Sequence, residues 1–285
     1  MQNELNDLDV TDIQEQKIKS SFFQRLSNYI REGKYKRLPF KILVEDNWFT
    51  RNLYKIFPRQ ILAPLMYELS IVFSTLRLSD ISKKYTNATD LLVNLGCGEQ
   101  GRPGWINVDA CAWPTVNCVW DCRKNLPFPN NSVKGIFCEH FFEHLHYKEE
   151  VPYFLAECYR VLKSGGVMRI IVPDAGKYLE AYCQEGWEEL SQLRRLDSEL
   201  TDFFNGEKYQ TKMEVINEIF RQGFEHKYAY DYATLELILS QAGFSTVQRQ
   251  EFAKSFMEEF SIDYEMRACE SIYVEGVKGD PTELS

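Results

Sequence analysis

The stretch from Leu91 to Asp109 constrains the fold of this 285-residue chain more than any other. It begins with an apolar run, breaks at Gly96, Gly98 and Gly101, and returns to an apolar run that ends at an acid. This order predicts a strand, a glycine turn, a second strand and a carboxylate at the second strand's tip. In an open α/β sheet, ligands bind at the carboxyl ends of the strands, where glycines admit the ligand and an acid holds ribose hydroxyls. The stretch therefore predicts a nucleoside pocket.

The rest of the chain continues this alternation of strands and helices. Apolar patterning predicts further strands at 116–120, 135–138, 167–172, 244–252 and 271–278, and helices at 148–162 and 232–242. The first of these helices is predicted to stop at Ser164-Gly165-Gly166, because glycine adopts the left-handed helix-end conformation. The last two strands have a short connection and are predicted to pair antiparallel at one sheet edge. The predicted fold class is α/β, with a mostly parallel sheet and an antiparallel edge strand.

Two segments depart from this alternation. Residues 1–88 are predicted to form a polar tail and a helical extension that prolines divide into short helices. Residues 89–280 are assigned to the sheet domain. Within them, the aromatic and charged segment at about 175–230 is predicted to be a helical insertion, because specificity is often carried by segments added to a sheet.

Charge and cysteine usage restrict the partners and the compartment. The net charge is -9, although residues 17–59 are locally basic. An acidic main domain is a poor partner for nucleic acid, so none is expected. The basic segment is read first as a solvated helix face, with a peripheral contact to an anionic membrane as the alternative. The chain has eight cysteines without a CxxC pair and no secretory signal, which predicts reduced thiols in a cytoplasmic protein. If the protein contacts a membrane, it is expected to lie at the inner face.

Seven short segments resemble, in this order, the class I S-adenosylmethionine-dependent methyltransferases. The closest likeness is to a bacterial group of small methyltransferase domains associated with surface-polysaccharide synthesis. The resemblance covers about residues 91–278. Its segments are NLGCG from Asn94, GWINVD from Gly104, LPF from Leu126, EHFFEH from Glu139, RVLKSGG from Arg160, RIIVPD from Arg169 and AGF from Ala242. It implies a Rossmann-like fold and methyl transfer to an oxygen, less commonly a nitrogen, of a glycan or glycolipid precursor.

The resemblance also implies which residues hold S-adenosylmethionine. The glycine loop approaches the methionine part, and the acid that ends the second strand binds the ribose. An acid and the backbone of the next residue lie near the adenine, and the end of the fourth strand forms the floor below the sulfonium. The implied cofactor residues are Asn94, Gly96, Cys97, Gly98, Asp109, Asp121, Cys122 and Glu139.

Two features depart from the family's pattern. Asn94 stands where the family usually has an acid. Only six residues, 99–104, lie between the glycine turn at 96–98 and the second predicted strand, whereas a parallel connection normally needs a dozen or more. Either the connection is an irregular loop, as in the polysaccharide-associated group, or the pocket is degraded.

A hydroxyl acceptor would be helped by a general base. His226 is the first choice, because it ends the predicted insertion where the resembled group often has a histidine facing the active site. The alternative is a surface or helix-entry histidine. His140, Glu143 and Asp174 follow as candidates.

Two motifs suggest other chemistry. Residues 96–101 also spell the dinucleotide fingerprint G-x-G-x-x-G, but Asp109 follows the last glycine too closely, so an NAD-dependent sugar-nucleotide enzyme is only an alternative. Residues 140–144 match the inverted zinc-protease pattern H-x-x-E-H, and the favoured interpretation is a segment that frames the pocket. No metal ligand is assigned, although His146 adds an imidazole that could bind an adventitious ion. A further alternative is a catalytically silent domain that acts as a binding or scaffold protein.

Overall fold

The computed structural model describes residues 84–111, 113–223 and 225–279, with scattered positions between 52 and 72. They belong to two compact units, one of residues 1–78 and 111–113 and the other of residues 79–110 and 114–285. Most of the predicted tail and helical extension therefore lies outside the described residues, as does nearly all of the basic segment 17–59. The described positions between 52 and 72 are mostly helical. Within the described part of the chain, no helix is long and apolar enough to cross a bilayer.

The larger unit is built on a seven-stranded sheet. The strands are β1 (Leu91–Leu95), β2 (Ile106–Asp109), β3 (Cys118–Val119), β4 (Val133–Glu139), β5 (Leu162–Pro173), β6 (Thr246–Gln250) and β7 (Ser271–Val277). Their order is β3-β2-β1-β4-β5-β7-β6. The first five pair in parallel, and β7 runs antiparallel to both β5 and β6. The predicted α/β sheet and the pairing of its last two strands are confirmed, with β7 one place inside the edge strand β6.

Five helices of this unit lie among the described residues. They are α1 (Val151–Val161), α2 (Ala175–Cys183), α3 (Glu188–Arg194), α4 (Lys212–Arg221) and α5 (Tyr232–Gln241). The segment between β5 and α5 contains α2, α3 and α4, which share an apolar cluster including Tyr178, Tyr209 and Ile219. Asp174 caps α2, and Thr211 with Glu214 forms a capping box on α4. Several aromatic residues of this segment thus pack in its own core.

The two faces of the sheet are covered differently. One face packs against α1 and α5 through a large apolar cluster that includes Phe154 and Leu239. The other face meets the connection between β6 and β7, which contributes Met257 and Phe260 to a smaller cluster around Phe137. The connection contains the short 3-10 turns Glu258–Phe260 and Glu265–Arg267. An irregular segment therefore covers the smaller cluster.

The predicted end of the helix before β5 is wrong. The helix α1 ends at Val161, and β5 begins at the next residue, before the glycines. The amides of Asn131 and Ser132 donate to the carbonyls of Arg160 and Val161, so the chain entering β4 satisfies the helix end. The glycines instead lie where the pairing of β4 with β5 shifts register, and Gly165 has a φ of 71°.

Candidate functional site

The connection between β1 and β2 is a loop held by buried asparagines. The side-chain amide of Asn94 donates to the carbonyl of Gln100 at 3.1 Å. The Oδ1 of Asn107 accepts from the amide of Arg102 at 2.7 Å, and its Nδ2 donates to the carbonyl of the same residue at 2.9 Å. These bonds take the place of a helix's internal bonds, so the irregular loop is the alternative that the structure adopts. Asn94 stabilises the loop through this hydrogen bond, and its contact with a cofactor stays a prediction.

The glycine loop meets the tip of β2. Gly96 and Gly98 have φ values of 66° and 49°, in the left-handed region that favours glycine. The amides of Gly96 and Cys97 both donate to the carbonyl of Val108, at 2.9 and 3.1 Å. The amide of Gly98 donates to Oδ2 of Asp109 at 2.9 Å. The structure therefore brings together the glycines and the acid that the sequence predicted to share a pocket.

Phe141 closes against the glycine loop. A Cβ built on Gly96 would lie 2.1 Å from Cγ of Phe141, so only glycine fits beneath this ring. Phe141 is partly exposed, whereas the next residue, Phe142, is fully buried in the large apolar cluster. The ring thus forms one wall beside the first glycine.

The residues predicted near the adenine and in the glycine loop are mostly buried. Asp121 is 3% exposed and accepts from the amide and Nε of Arg123, both at 3.0 Å. Burial raises the pKa of Cys97 to about 12, and it raises that of Cys122 well above its ordinary value. Both thiols are therefore protonated at neutral pH, and the two cysteines shape the site as small apolar side chains.

Glu139 joins three segments at the tip of β4. Its Oε2 lies 3.3 Å from Nη2 of Arg102, and its Oε1 accepts from the amide of Tyr264 at 3.1 Å. Burial raises the pKa of this carboxyl group. The side chain therefore fixes both the glycine loop and the connection between β6 and β7 to the end of β4.

The three predicted catalytic residues lie in one cluster beyond β4. His140 has a φ of 49°, and its Nε2 lies 3.0 Å from Oγ of Ser271. Its Nδ1 lies 3.3 Å from Oε1 of Glu143. The carbonyl of Glu143 accepts from the amide of Lys227 at 2.8 Å, which draws the end of the insertion, with His226, against the 3-10 turn Phe142–His144. The fold thus gathers residues from two distant segments.

The cluster is electrostatically asymmetric. Burial alone would raise the pKa of Glu143, but His140, His144 and His226 outweigh it and lower the pKa to about 2. Burial lowers the pKa of His226 and outweighs the opposite effect of Glu143. At neutral pH the carboxylate is therefore charged and the His226 imidazole is neutral.

The positions of Asp174 and His144 also bear on the choice of a general base. Asp174, the last candidate base, accepts from the amide of Lys177 as the cap of α2 and from Arg249 at 3.0 Å. His144 is not among the residues that the sequence predicts to be catalytic, although it lies beside Glu143 and its ring centroid is 5.0 Å from that of His226. The H-x-x-E-H motif contained His144, but only the folded chain shows which histidine it meets.

A family comparison matches the centre of this region. Residues 110–170 match a family described as a methyltransferase domain. The matched segment runs from the end of β2 into β5 and includes Asp121, Glu139 and Glu143. Over these residues the chain is similar to a methyltransferase domain. Together with the sheet order, this match confirms the predicted Rossmann-like methyltransferase fold and the predicted class of enzyme.

Solved structures of methyltransferases resemble this domain only distantly. A SAM-dependent methyltransferase from Archaeoglobus fulgidus is 18% identical, with 79% of this chain and 99% of that chain covered and a TM-score of 0.40. One from Thermotoga maritima is 17% identical, with the same coverages and TM-score. One from Methanosarcina mazei is 12% identical, with 71% and 99% covered and a TM-score of 0.39. Likeness of this degree carries no information about the acceptor. Among curated proteins, none matches the chain.

The residues of this site fit S-adenosylmethionine. The cofactor needs a close backbone at its amino-acid end and a carboxylate at its ribose. The loop at Gly96 leaves no room for a side chain, and Asp109 is held at its side by Gly98. S-adenosylmethionine is the methyl donor that this arrangement suits.

Proposed function

We propose that this methyltransferase transfers the methyl group of S-adenosylmethionine to a hydroxyl oxygen of a glycan or glycolipid precursor. The assignment of the methyl donor rests on the 2.9 Å hydrogen bond from the amide of Gly98 to Asp109, which joins the ends of β1 and β2. The acceptor half rests on the resemblance to domains associated with surface-polysaccharide synthesis. A nitrogen of the same class of acceptor is the second candidate.

The residues of the site divide the work of the reaction. S-adenosylmethionine supplies, when bound, an electrophilic methyl carbon on a positively charged sulfur. Asp109 holds the ribose, and Phe141 closes over the glycine loop beside the donor. The cluster of His140, Glu143 and His226 takes up the proton that the acceptor oxygen loses. The new O–C bond forms as the S–C bond breaks, and the electron pair of that bond stays with sulfur.

The donor site is tested by the substitution Asp109→Ala. We expect the affinity for S-adenosylhomocysteine to fall about 10- to 100-fold, because each hydrogen bond to a charged group contributes roughly 1.5–3 kcal/mol. Isothermal titration calorimetry measures the affinity, and circular dichroism checks the fold. Glu99→Ala is the matched control, since this exposed acid lies in the same loop. An unchanged affinity of the Asp109 variant would contradict the ribose assignment.

The proton-accepting cluster is tested by His226→Ala. Turnover should fall by about 100-fold or more, the usual contribution of a positioned acid or base, while the affinity for S-adenosylhomocysteine stays as it was. The matched control is His146→Ala, because His146 is an exposed histidine near the same turn. Normal turnover in the His226 variant would remove this residue from the chemistry.

The acceptor is sought with labelled donor. The protein is incubated with S-adenosylmethionine carrying a labelled methyl group and with a panel of cell-envelope glycans and glycolipid precursors, and the labelled product is identified. Label on protein or nucleic acid alone would overturn the proposed acceptor class.

Two other functions make different predictions for the same protein. A catalytically silent scaffold would show no heat with S-adenosylmethionine or S-adenosylhomocysteine. An NAD-dependent enzyme would bind NADH, whereas we expect a flat fluorescence titration, because the described residues 96–105 after β1 form no helix that could meet a pyrophosphate. Contact of the basic segment 17–59 with an anionic membrane stays a prediction, which co-sedimentation with anionic vesicles tests.

A further inference from the structure

Glu143, His144 and His226 form a cluster with an unusual set of side chains. One side-chain atom of each lies within 4.8 Å of those of the other two. Glu143 and His144 belong to the 3-10 turn after β4, and His226 follows α4 at the end of the insertion. The chain has only four histidines, and two of them meet here beside a carboxylate.

Backbone carbonyls orient both imidazole rings. The Nδ1 of His226 lies 2.6 Å from the carbonyl oxygen of Ile219, and the Nδ1 of His144 lies 3.3 Å from that of Glu225. A carbonyl oxygen only accepts, so in the singly protonated form of each ring the proton lies on Nδ1. This tautomer leaves a lone pair on each Nε2. Metal-ligating histidines are held in this way by a hydrogen bond from their other ring nitrogen.

The carboxylate of Glu143 lacks the partners that a buried charge needs. The residue is 2% exposed. Among the residues that the structure describes, none donates a hydrogen bond to either of its oxygens. His140 Nδ1 lies 3.3 Å from Oε1, but this contact does not give either carboxylate oxygen a hydrogen-bond partner. Buried charges are paired or coordinate metals, and two unused acceptor atoms beside two lone pairs favour a cation.

We propose that Glu143, His144 and His226 bind one divalent transition-metal cation, and that Zn²⁺ fits the donor set best. Two imidazoles and one glutamate are the protein ligands of one class of catalytic zinc site, which keeps an open position for substrate. At metal–ligand distances of about 2.0–2.2 Å, the ligand atoms of a tetrahedral site lie roughly 3.3 Å apart. Because the three ligand atoms lie within 4.8 Å of one another, binding requires them to approach each other by up to about 1.5 Å.

The role of the cation, but not its binding, rests on the proposed methyl transfer. A cation with an open position lowers the pKa of a coordinated hydroxyl group. With the cation bound, the acceptor hydroxyl would coordinate it and lose its proton to water instead of to the cluster, and its oxygen would keep the electron pair that forms the new O–C bond. His226 then acts as a ligand and not as a free base. The loss of turnover that we expect for His226→Ala is the same in either role.

The site is tested by titrating the full, untagged chain with Zn²⁺ after treatment with a chelator and dialysis. We expect one Zn²⁺ per chain by calorimetry, and Co²⁺ in its place should give the visible absorption of a four- or five-coordinate ion. Glu143→Gln, which keeps the side chain's size, and His226→Gln should each weaken Zn²⁺ binding at least tenfold. His146→Ala is the matched control and should bind as the unchanged protein does.

The results that overturn the site differ from those that overturn the function. Absence of stoichiometric Zn²⁺, or equal affinity in the Glu143 and His226 variants, would refute the metal site. If a variant does not fold, X-ray absorption of the zinc-loaded unchanged protein decides, since sulfur ligation would place the ion on cysteines instead. Neither measurement needs donor or acceptor. A protein that binds Zn²⁺ here but not S-adenosylhomocysteine would refute the methyl transfer and leave the site standing.

Discussion

At the scale of single residues, Gly96 shows how one position shapes the donor site. Its φ of 66° is strained for other residues, and Phe141 occupies the space that a Cβ would need. The sequence alone indicated the glycine but not the ring above it. The loop therefore depends on a contact between residues that lie at the ends of two different strands, β1 and β4.

The substitution Gly96→Ala, compared with a control at Gly104, should separate the effect of backbone strain from that of the contact with Phe141. We expect it to lower the free energy of unfolding by about 2–5 kcal/mol, from roughly 1–2 for the left-handed backbone and 1–3 for overpacking. Affinity for S-adenosylhomocysteine should fall as well. Gly104→Ala is the control, because Gly104 has a φ of 80° and open space around its Cβ position. Equal destabilisation of both variants, measured by chemical denaturation, would show that Phe141 adds nothing.

At the scale of elements, the connection between β6 and β7 is fixed to the sheet by buried charges. Arg169 of β5 is 0% exposed and forms ion pairs with Asp263 of the connection and with Glu275 of β7. Its guanidinium group also donates to the carbonyls of Glu251 and Lys254. An irregular segment without long helices is held here by one side chain with several partners.

The substitution Arg169→Leu should destabilise the protein strongly. It leaves Asp263 and Glu275 as uncompensated buried charges, and breaking a buried pair costs about 3–5 kcal/mol. Urea denaturation measures the loss. Lys208→Ala serves for comparison, because the pair of Lys208 with Glu199 is exposed and such pairs contribute at most about 1 kcal/mol. Similar losses in the two variants would refute a special role for Arg169.

At the scale of the whole sheet unit, Glu270 links the helical insertion to the start of β7. It accepts from Tyr178 at 2.8 Å and forms ion pairs with Arg194 and Arg267. Burial alone would raise the pKa of Glu270, but Arg267, His140 and Arg194 outweigh it and lower the pKa below its ordinary value of 4.5. The charged form of this carboxyl group therefore stabilises the folded state.

Acid should loosen this link. Because the pKa is lower in the folded state, the stabilisation is complete above about pH 4.5 and is lost as the pH falls through the folded pKa. We expect hydrogen exchange of α2 and α3 to accelerate below that pH. In Glu270→Gln, exchange of these helices should be faster at neutral pH and should change less with acid. Equal acid sensitivity of the variant would assign the effect to other carboxyl groups.

The sequence by itself determined the order of strands and helices and the position of the glycine loop and Asp109. These features follow from local periodicity and from the backbone freedom of glycine, which act between near neighbours in the chain. Only the tertiary structure decided what Asn94 and Glu139 bind and that β7 lies inside β6. It also decided that His144 and His226 meet at Glu143, because hydrogen bonds join two segments that lie about eighty residues apart in the chain. Such contacts depend on packing between distant segments, which leaves no periodic trace in the sequence.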